Sequence, residues 1–248
     1  MKKSIFYLIL ALPILFSACN NDDGYSSNQW LSIATVENPD NHTVFHFVRD
    51  DSVRLWTAAS AYPNYRPKEG QRIIVNYTIL NDKPAGSEYN HDVRLNDVYE
   101  ILTKGIFDIT PETQDSIGND PLRVTDMWIG SNYLNVEFTF LGFDKIHFIN
   151  LVADAEKTYD DGKIHLEFRH NANKDYATYR RNGIVSFDLR SLQSLTTESS
   201  VGIVIHTNEF NFPEGKTYSL TYKFGSAEAS PSPERRAVSA LNDLTDVE

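Results

Sequence analysis

The side chains able to hold a metal or move protons are sparse in this chain: seven histidines, a single cysteine and a few adjacent acidic pairs. His165 and His170 fall on one predicted strand at an odd spacing, so they point to opposite faces and cannot chelate together. No His-Glu-x-x-His is present, and one cysteine makes no thiolate cluster, so no metal site is expected. His46 shares a predicted face with Val44 and Val48, which reads as a half-buried sheet residue rather than a ligand. Asp50-Asp51 and Asp160-Asp161 invite a two-carboxylate hydrolytic reading. Adjacent residues diverge, however, and neither pair can flank one bond unaided. A turn accounts for both pairs, and Asp161-Gly162 is a hairpin signal. No Gly-x-Ser-x-Gly elbow and no phosphate-cradling glycine loop occurs. The expectation is a protein with no catalytic residues, no metal and no cofactor.

Cys19 carries a different chemistry. Met1-Lys2-Lys3 supplies positive charge, Ile5 to Phe16 is apolar apart from Pro13, and Ser17-Ala18 are small. That order is a secretory leader over residues 1–18 with a small-residue cleavage site. A disulfide within the chain is impossible with one cysteine, and a core thiol is out of place between a leader and a polar stretch. Leu15-Phe16-Ser17-Ala18-Cys19 resembles the lipobox of bacterial lipoproteins, with Phe16 where leucine is usual. The resemblance implies that Cys19 is diacylated, with palmitate-type chains, and becomes the first residue of a protein anchored in the outer membrane. Two or three acyl chains hold firmly where one does not. The apolar run itself is too short for a permanent membrane-spanning helix. Residues 19–29 form a polar tether. The acidic Asp22-Asp23 within it resembles a signal that sends some lipoproteins to the cell surface. In the same bacterial setting, Asp51-Ser52-Val53 and Asp115-Ser116-Ile117 resemble a short O-glycosylation motif, which makes Ser52 and Ser116 candidate acceptors.

The formal net charge is −11, and loss of Lys2 and Lys3 with the leader makes the balance more acidic still. With no basic stripe to offset it, such a surface repels phosphate backbones, and nucleic acid is not an expected partner. Without disulfides the fold must rest on apolar cores, which a chain of 248 residues is long enough to bury. Aromatic residues make up 12%, with 13 tyrosines and 14 phenylalanines, and this favours sheets over helices.

The elements that must position these residues read as strands. Trp30–Val36, Thr43–Arg49, Ser52–Ala58, Gln71–Leu80 and Asp92–Thr103 alternate apolar and polar residues. The fourth is the strongest, with Ile73, Val75, Tyr77 and Ile79 on one side. Five strands with no convincing helix suggest a small OB-like five-stranded barrel over residues 30–107. Asp108–Pro121, with its prolines and Gly118, reads as a linker. Alternation resumes through 122–225 in seven further strands, the pattern of an antiparallel β-sandwich. Residues 226–248 read as a disordered or marginally helical tail.

Gly24-Tyr25, then Trp30-Leu-Ser-Ile-Ala-Thr-Val-Glu-Asn-Pro39, resembles the start of NigD-like lipoproteins. Arg66-Pro-Lys-Glu-Gly-Gln-Arg72 running into Asn76-Tyr-Thr-Ile-Leu80 is similar to a second hallmark of that family. The resemblance implies an N-terminal OB domain followed by a C-terminal β-sandwich, and it brings no catalytic or binding residues with it. The function expected from all of this is a non-catalytic, envelope-associated binding module. A bacteriocin-associated or immunity role and a hydrolase with carboxylates assembled from distant strands are the alternatives. The expected contact loop holds Tyr62, Tyr65 and Arg66, stiffened by Pro63 and Pro67. Its expected partners are a carbohydrate or an envelope protein, besides the membrane reached through Cys19.

Overall fold

A computed structural model describes residues 29–37, 45–225 and 244–248. Five strands close the barrel: β1 (Gln29–Glu37), β2 (His46–Arg49), β3 (Arg54–Ser60), β4 (Arg72–Asp82) and β5 (His91–Glu100). Their order is β1-β2-β3-β5-β4, and β4 returns to pair with β1. Only β3–β5 is parallel, and the β4–β1 pairing closes the barrel so that none of its edges is left to template aggregation. The alternation visible in β4 decides the interior. Ile73, Val75 and Tyr77 are fully buried, facing Phe47, Leu55 and Leu95 from the other strands.

The second unit is a sandwich. One sheet has the order β14-β13-β11-β10-β7 and the other β6-β12-β9-β8. Their strands are β6 (Leu102–Lys104), β7 (Ile106–Ile109), β8 (Arg123–Gly130), β9 (Tyr133–Gly142), β10 (Phe148–Asp154), β11 (Ile164–Asn171), β12 (Tyr179–Asp188), β13 (Ser200–Glu209) and β14 (Phe212–Lys223). Antiparallel ladders dominate, with parallel joins at β7–β10, β6–β12 and β11–β13. Phe138, Phe140, Phe168 and Phe187 fill the space between the sheets.

Three boundaries read from sequence differ in the structure. Residues 102–107 belong to the sandwich, not the barrel, because β6 pairs with β12 and β7 with β10. Only Ile101, itself 1% exposed, separates β5 from β6. Asp108–Pro121 is not a free linker either. Asp108 and Ile109 complete β7, and a one-turn helix, α1 (Gln114–Ile117), sits against β11. There Asn171 Nδ2 donates to Ser116 O at 2.7 Å, Arg169 Nη1 to Gly118 O at 3.2 Å, and Asp120 N to His170 O at 2.7 Å. The segment's polar composition feeds these hydrogen bonds rather than a solvated spacer. The end of the chain, finally, is docked. Val247 is 8% exposed in the sandwich core, and Ile149 N donates to Glu248 O at 2.7 Å. Residues 226–243 lie outside the described residues.

Barrel and sandwich meet over a buried seam. Ile74 and Ile101 pack against Trp128 and Ile184, joined by Ile33, Tyr99 and Leu244. Beside this apolar patch lies an ion pair with both side chains at most 1% exposed. Arg72 of β4 donates from Nη1 to Asp50 Oδ1 at 2.6 Å and from Nη2 to Asp50 Oδ2 at 2.9 Å. The same guanidinium reaches into the sandwich, donating to Asn135 Oδ1 at 3.0 Å and lying 4.6 Å over the Tyr133 ring. Ser186 Oγ donates to that Asn135 oxygen at 2.7 Å. Gly130 makes the approach possible: a Cβ there would meet Asp50 Oδ2 at 2.1 Å.

Candidate functional site on the barrel

The loop after β3 holds the three residues expected to contact a ligand, and it uses each differently. Tyr62 is 45% exposed, and its hydroxyl donates to Asp97 Oδ1 at 2.9 Å. Tyr65 turns inward, edge-on to Phe45 with ring centroids 5.7 Å apart. Burial pushes its hydroxyl pKa well up. Arg66 is exposed and folds back, donating from Nη1 to Pro63 O at 2.8 Å and Tyr65 O at 2.9 Å. The loop brings Tyr62 and Arg66 to the surface and gives Tyr65 to the barrel core. Ser52 is exposed in the β2–β3 turn at φ 68°, and Ser116 is exposed on α1. Cys19 lies outside the described residues.

A denser constellation sits on the outer face of β2 and β3. Leu55 and Thr57 point inward and are buried, which turns Arg54 and Trp56 outward. His46, directly across the ladder from Trp56, stacks on it with centroids 6.3 Å apart. Tyr89 arrives from the β4–β5 connection and closes the cluster, 5.0 Å from both the His46 and Trp56 rings. Charge fixes the rings in place. The His46 Nε2–Glu37 Oε2 contact is 2.6 Å, and Arg54 Nη2 donates to the same carboxylate oxygen at 2.8 Å. Arg54 Nε is buried with no hydrogen-bond partner. The result is a half-exposed Trp–Tyr surface bordered by a fixed guanidinium and a carboxylate. Such a surface can stack a planar or C–H-rich ligand face and read its hydroxyls. Arg54 and Trp56 were legible as an outward pair at period two; Tyr89 was not, because its loop carries no pattern.

The histidines singled out from sequence do face apart, and each finds another imidazole instead. His170 Nε2 lies 2.8 Å from His147 Nδ1 inside the sandwich. His165 Nδ1 lies 2.8 Å from His206 Nε2 on its outer face. His46 is 7% exposed and serves the aromatic cluster. Among the described residues no group of three or more His, Cys, Asp or Glu side chains converges for a metal ion.

Two sequence profiles cover this architecture. That of the NigD-like N-terminal OB domain matches residues 33–101, and that of the NigD-like C-terminal beta sandwich domain matches residues 105–222. A solved protein from Parabacteroides distasonis, described as toxin-related, is 36% identical; the match covers 79% of this chain and 94% of that one, at a TM-score of 0.67. The chain belongs to the NigD-like family. A protein of unknown function from Bacteroides vulgatus is similar at 29% identity and a TM-score of 0.73, covering 88% of this chain and all (100%) of the other. A NigD-like immunity protein from Bacteroides caccae shares the fold at 18% identity and a TM-score of 0.61, covering 81% and 99% of the two chains. No curated protein matches significantly. The matched profiles meet at the β5–β6 junction, where the structure also changes from barrel to sandwich.

Proposed function

We propose that this NigD-like chain is a lipid-anchored, non-catalytic binding module of the outer membrane, and that its barrel takes a carbohydrate on the Trp56–Tyr89 face. The observation that carries the reading is the His46–Trp56–Tyr89 ring cluster on β2, β3 and the β4–β5 connection. OB-like barrels receive oligosaccharides or oligonucleotides on that sheet face and its bordering loops. A net charge of −11 disfavours the oligonucleotide, because binding a phosphate backbone depends on lysine and arginine releasing counterions. The lipobox-like run ending in Cys19 supports the anchor, and a fold neighbour from Bacteroides fragilis described as a lipoprotein is consistent with it. The test is retention of the acylated protein's soluble Cys19→Ser form on immobilised envelope polysaccharide. Trp56→Ala with Tyr89→Ala is expected to abolish retention while the melting temperature stays within a few degrees of wild type. Equal retention by the variant contradicts the assignment.

A second reading, bacteriocin immunity, is favoured by the description of the Bacteroides caccae relative as an immunity protein and of the Parabacteroides distasonis relative as toxin-related. It predicts that cells expressing the chain survive a co-encoded toxin and cells lacking it do not.

A further inference from the structure

The outer face of the five-stranded sandwich sheet carries a cleft of about 400 Å³ to which the barrel contributes no residue. Its floor comes from the parallel pair β11 and β13, where Glu167 sits across from His206. Lys157 and Tyr159, from the β10–β11 connection, form one wall, and Asn208 and Glu214 stand opposite. Glu167 is held between two cations: Lys157 pairs with Oε1, and Arg169 Nε donates to Oε2 at 2.6 Å. Asp154 also pairs with Lys157, at 3.4 Å. The charges of the cleft are thus balanced internally, which offers little to a strongly ionic ligand.

Tyr159 supplies the apolar surface. Its ring lies parallel to His165 at 3.6 Å and 4°, extends over His206 at 5.5 Å, and remains 41% exposed. Beneath it runs a chain of hydrogen bonds. His165 Nε2 is 2.9 Å from Asp161 Oδ1, and His165 Nδ1 is 2.8 Å from His206 Nε2. A carboxylate accepts only, so His165 Nε2 carries a proton for Asp161. In the neutral pair His165 Nδ1 is then an acceptor, and the proton shared between the rings belongs to His206 Nε2. That assignment leaves His206 Nδ1 as a bare lone pair, and no hydrogen-bond partner occupies it among the described residues. Burial lowers the His206 pKa, which favours a neutral His206 ring.

We propose that this cleft is a second ligand site, for a neutral saccharide, with Tyr159 stacking on the sugar face and His206 Nδ1, Glu167 and Arg169 reading its hydroxyls. A sugar ring offers C–H faces for an aromatic and hydroxyls that both donate and accept. The cleft matches this with one exposed ring, one fixed acceptor and one clamped Glu–Arg pair, at a volume within the range of small-molecule sites.

The inference is independent of the barrel reading, and one experiment separates them. The full Cys19→Ser chain is titrated calorimetrically with the neutral glycans maltoheptaose, laminarihexaose and mannan-derived oligosaccharides. Wild type is expected to bind at least one of them, with affinity at least tenfold lower for Tyr159→Ala and for His206→Phe. Asn208→Ala, which leaves the Tyr159–His165 stack intact, is expected to weaken binding by a smaller factor and serves if either larger change unfolds the chain. Trp56→Ala with Tyr89→Ala should leave this binding in place. No binding of any of these glycans by wild type overturns the proposal. So does wild-type affinity in all three cleft variants, or loss of all binding in the barrel variant alone.

Discussion

His170 lies on β11 and points into the sandwich, where its partner is another imidazole. Parity along β11 separated it correctly from His165, since residues five apart face opposite sides of a strand. Its partner His147 comes from 23 residues away, and nothing local in the sequence announces that pairing. Two imidazoles at 2.8 Å share a single N–H, so burial and the adjacent His147 hold the His170 pKa down at about 4, from 6.5. The unfolded chain binds a proton below pH 6.5 that the folded chain refuses until about pH 4. Stability from this group is therefore complete above pH 6.5 and falls as the pH drops toward 4. The loss is on the order of 3 kcal/mol. Denaturant unfolding across that range checks it: His170→Gln, less stable at neutral pH, should show a flatter pH profile. Tyr62 and Tyr65 test the contact loop at the same scale. Tyr65→Ser, which empties a position against Phe45, should cost about 1–3 kcal/mol, and Tyr62→Ser under about 0.5 kcal/mol. Equal losses would mean that both rings belong to the core.

Strands with clean alternation were readable because one face is buried and one is not. Val136, Phe138 and Phe140 on β9 and Ile73, Val75 and Tyr77 on β4 are inside as their spacing requires. The short strands β6 and β7 escaped for a physical reason. Three or four residues cannot establish a period, and their parallel partners lie some 80 and 45 positions further along the chain. The seam between barrel and sandwich rests on Asp50, Arg72 and Gly130. Asp50→Ala leaves the Arg72 guanidinium buried without its carboxylate, and about 3–5 kcal/mol should be lost. Gly130→Ala drives a methyl into Asp50 and should destabilise through the same contact, with little further loss when added to Asp50→Ala. Additive losses would place Gly130 outside the ion-pair network.

At the scale of the whole molecule, the seam joins two domains with a single residue between them. Ile74, Trp128 and Ile184 share one apolar cluster, and Leu244 from the end of the chain seals it. Heat should unfold barrel and sandwich in one transition, and protease should not release a stable barrel by cutting at 108–121. Two resolved calorimetric peaks would contradict this coupling. The anchor is tested separately: Cys19→Ser should abolish fatty-acid labelling and release the chain from membranes.

What the sequence conveyed best was the arrangement of domains, carried by strand alternation and by the resemblance in residues 24–80. The Trp56–Tyr89 face was hidden because its rings come from β2, β3 and a loop more than thirty positions away. The chain has three tryptophans, of which Trp56 lies on the barrel face and Trp128 in the interdomain seam. Indole ¹⁵N–¹H spectra of the full Cys19→Ser chain, titrated with purified envelope polysaccharide, follow them individually. The Trp56 resonance should shift or broaden with saturable dose dependence while Trp128 stays fixed. A Trp56 signal unmoved at saturating polysaccharide would contradict the assignment of this face as the binding site.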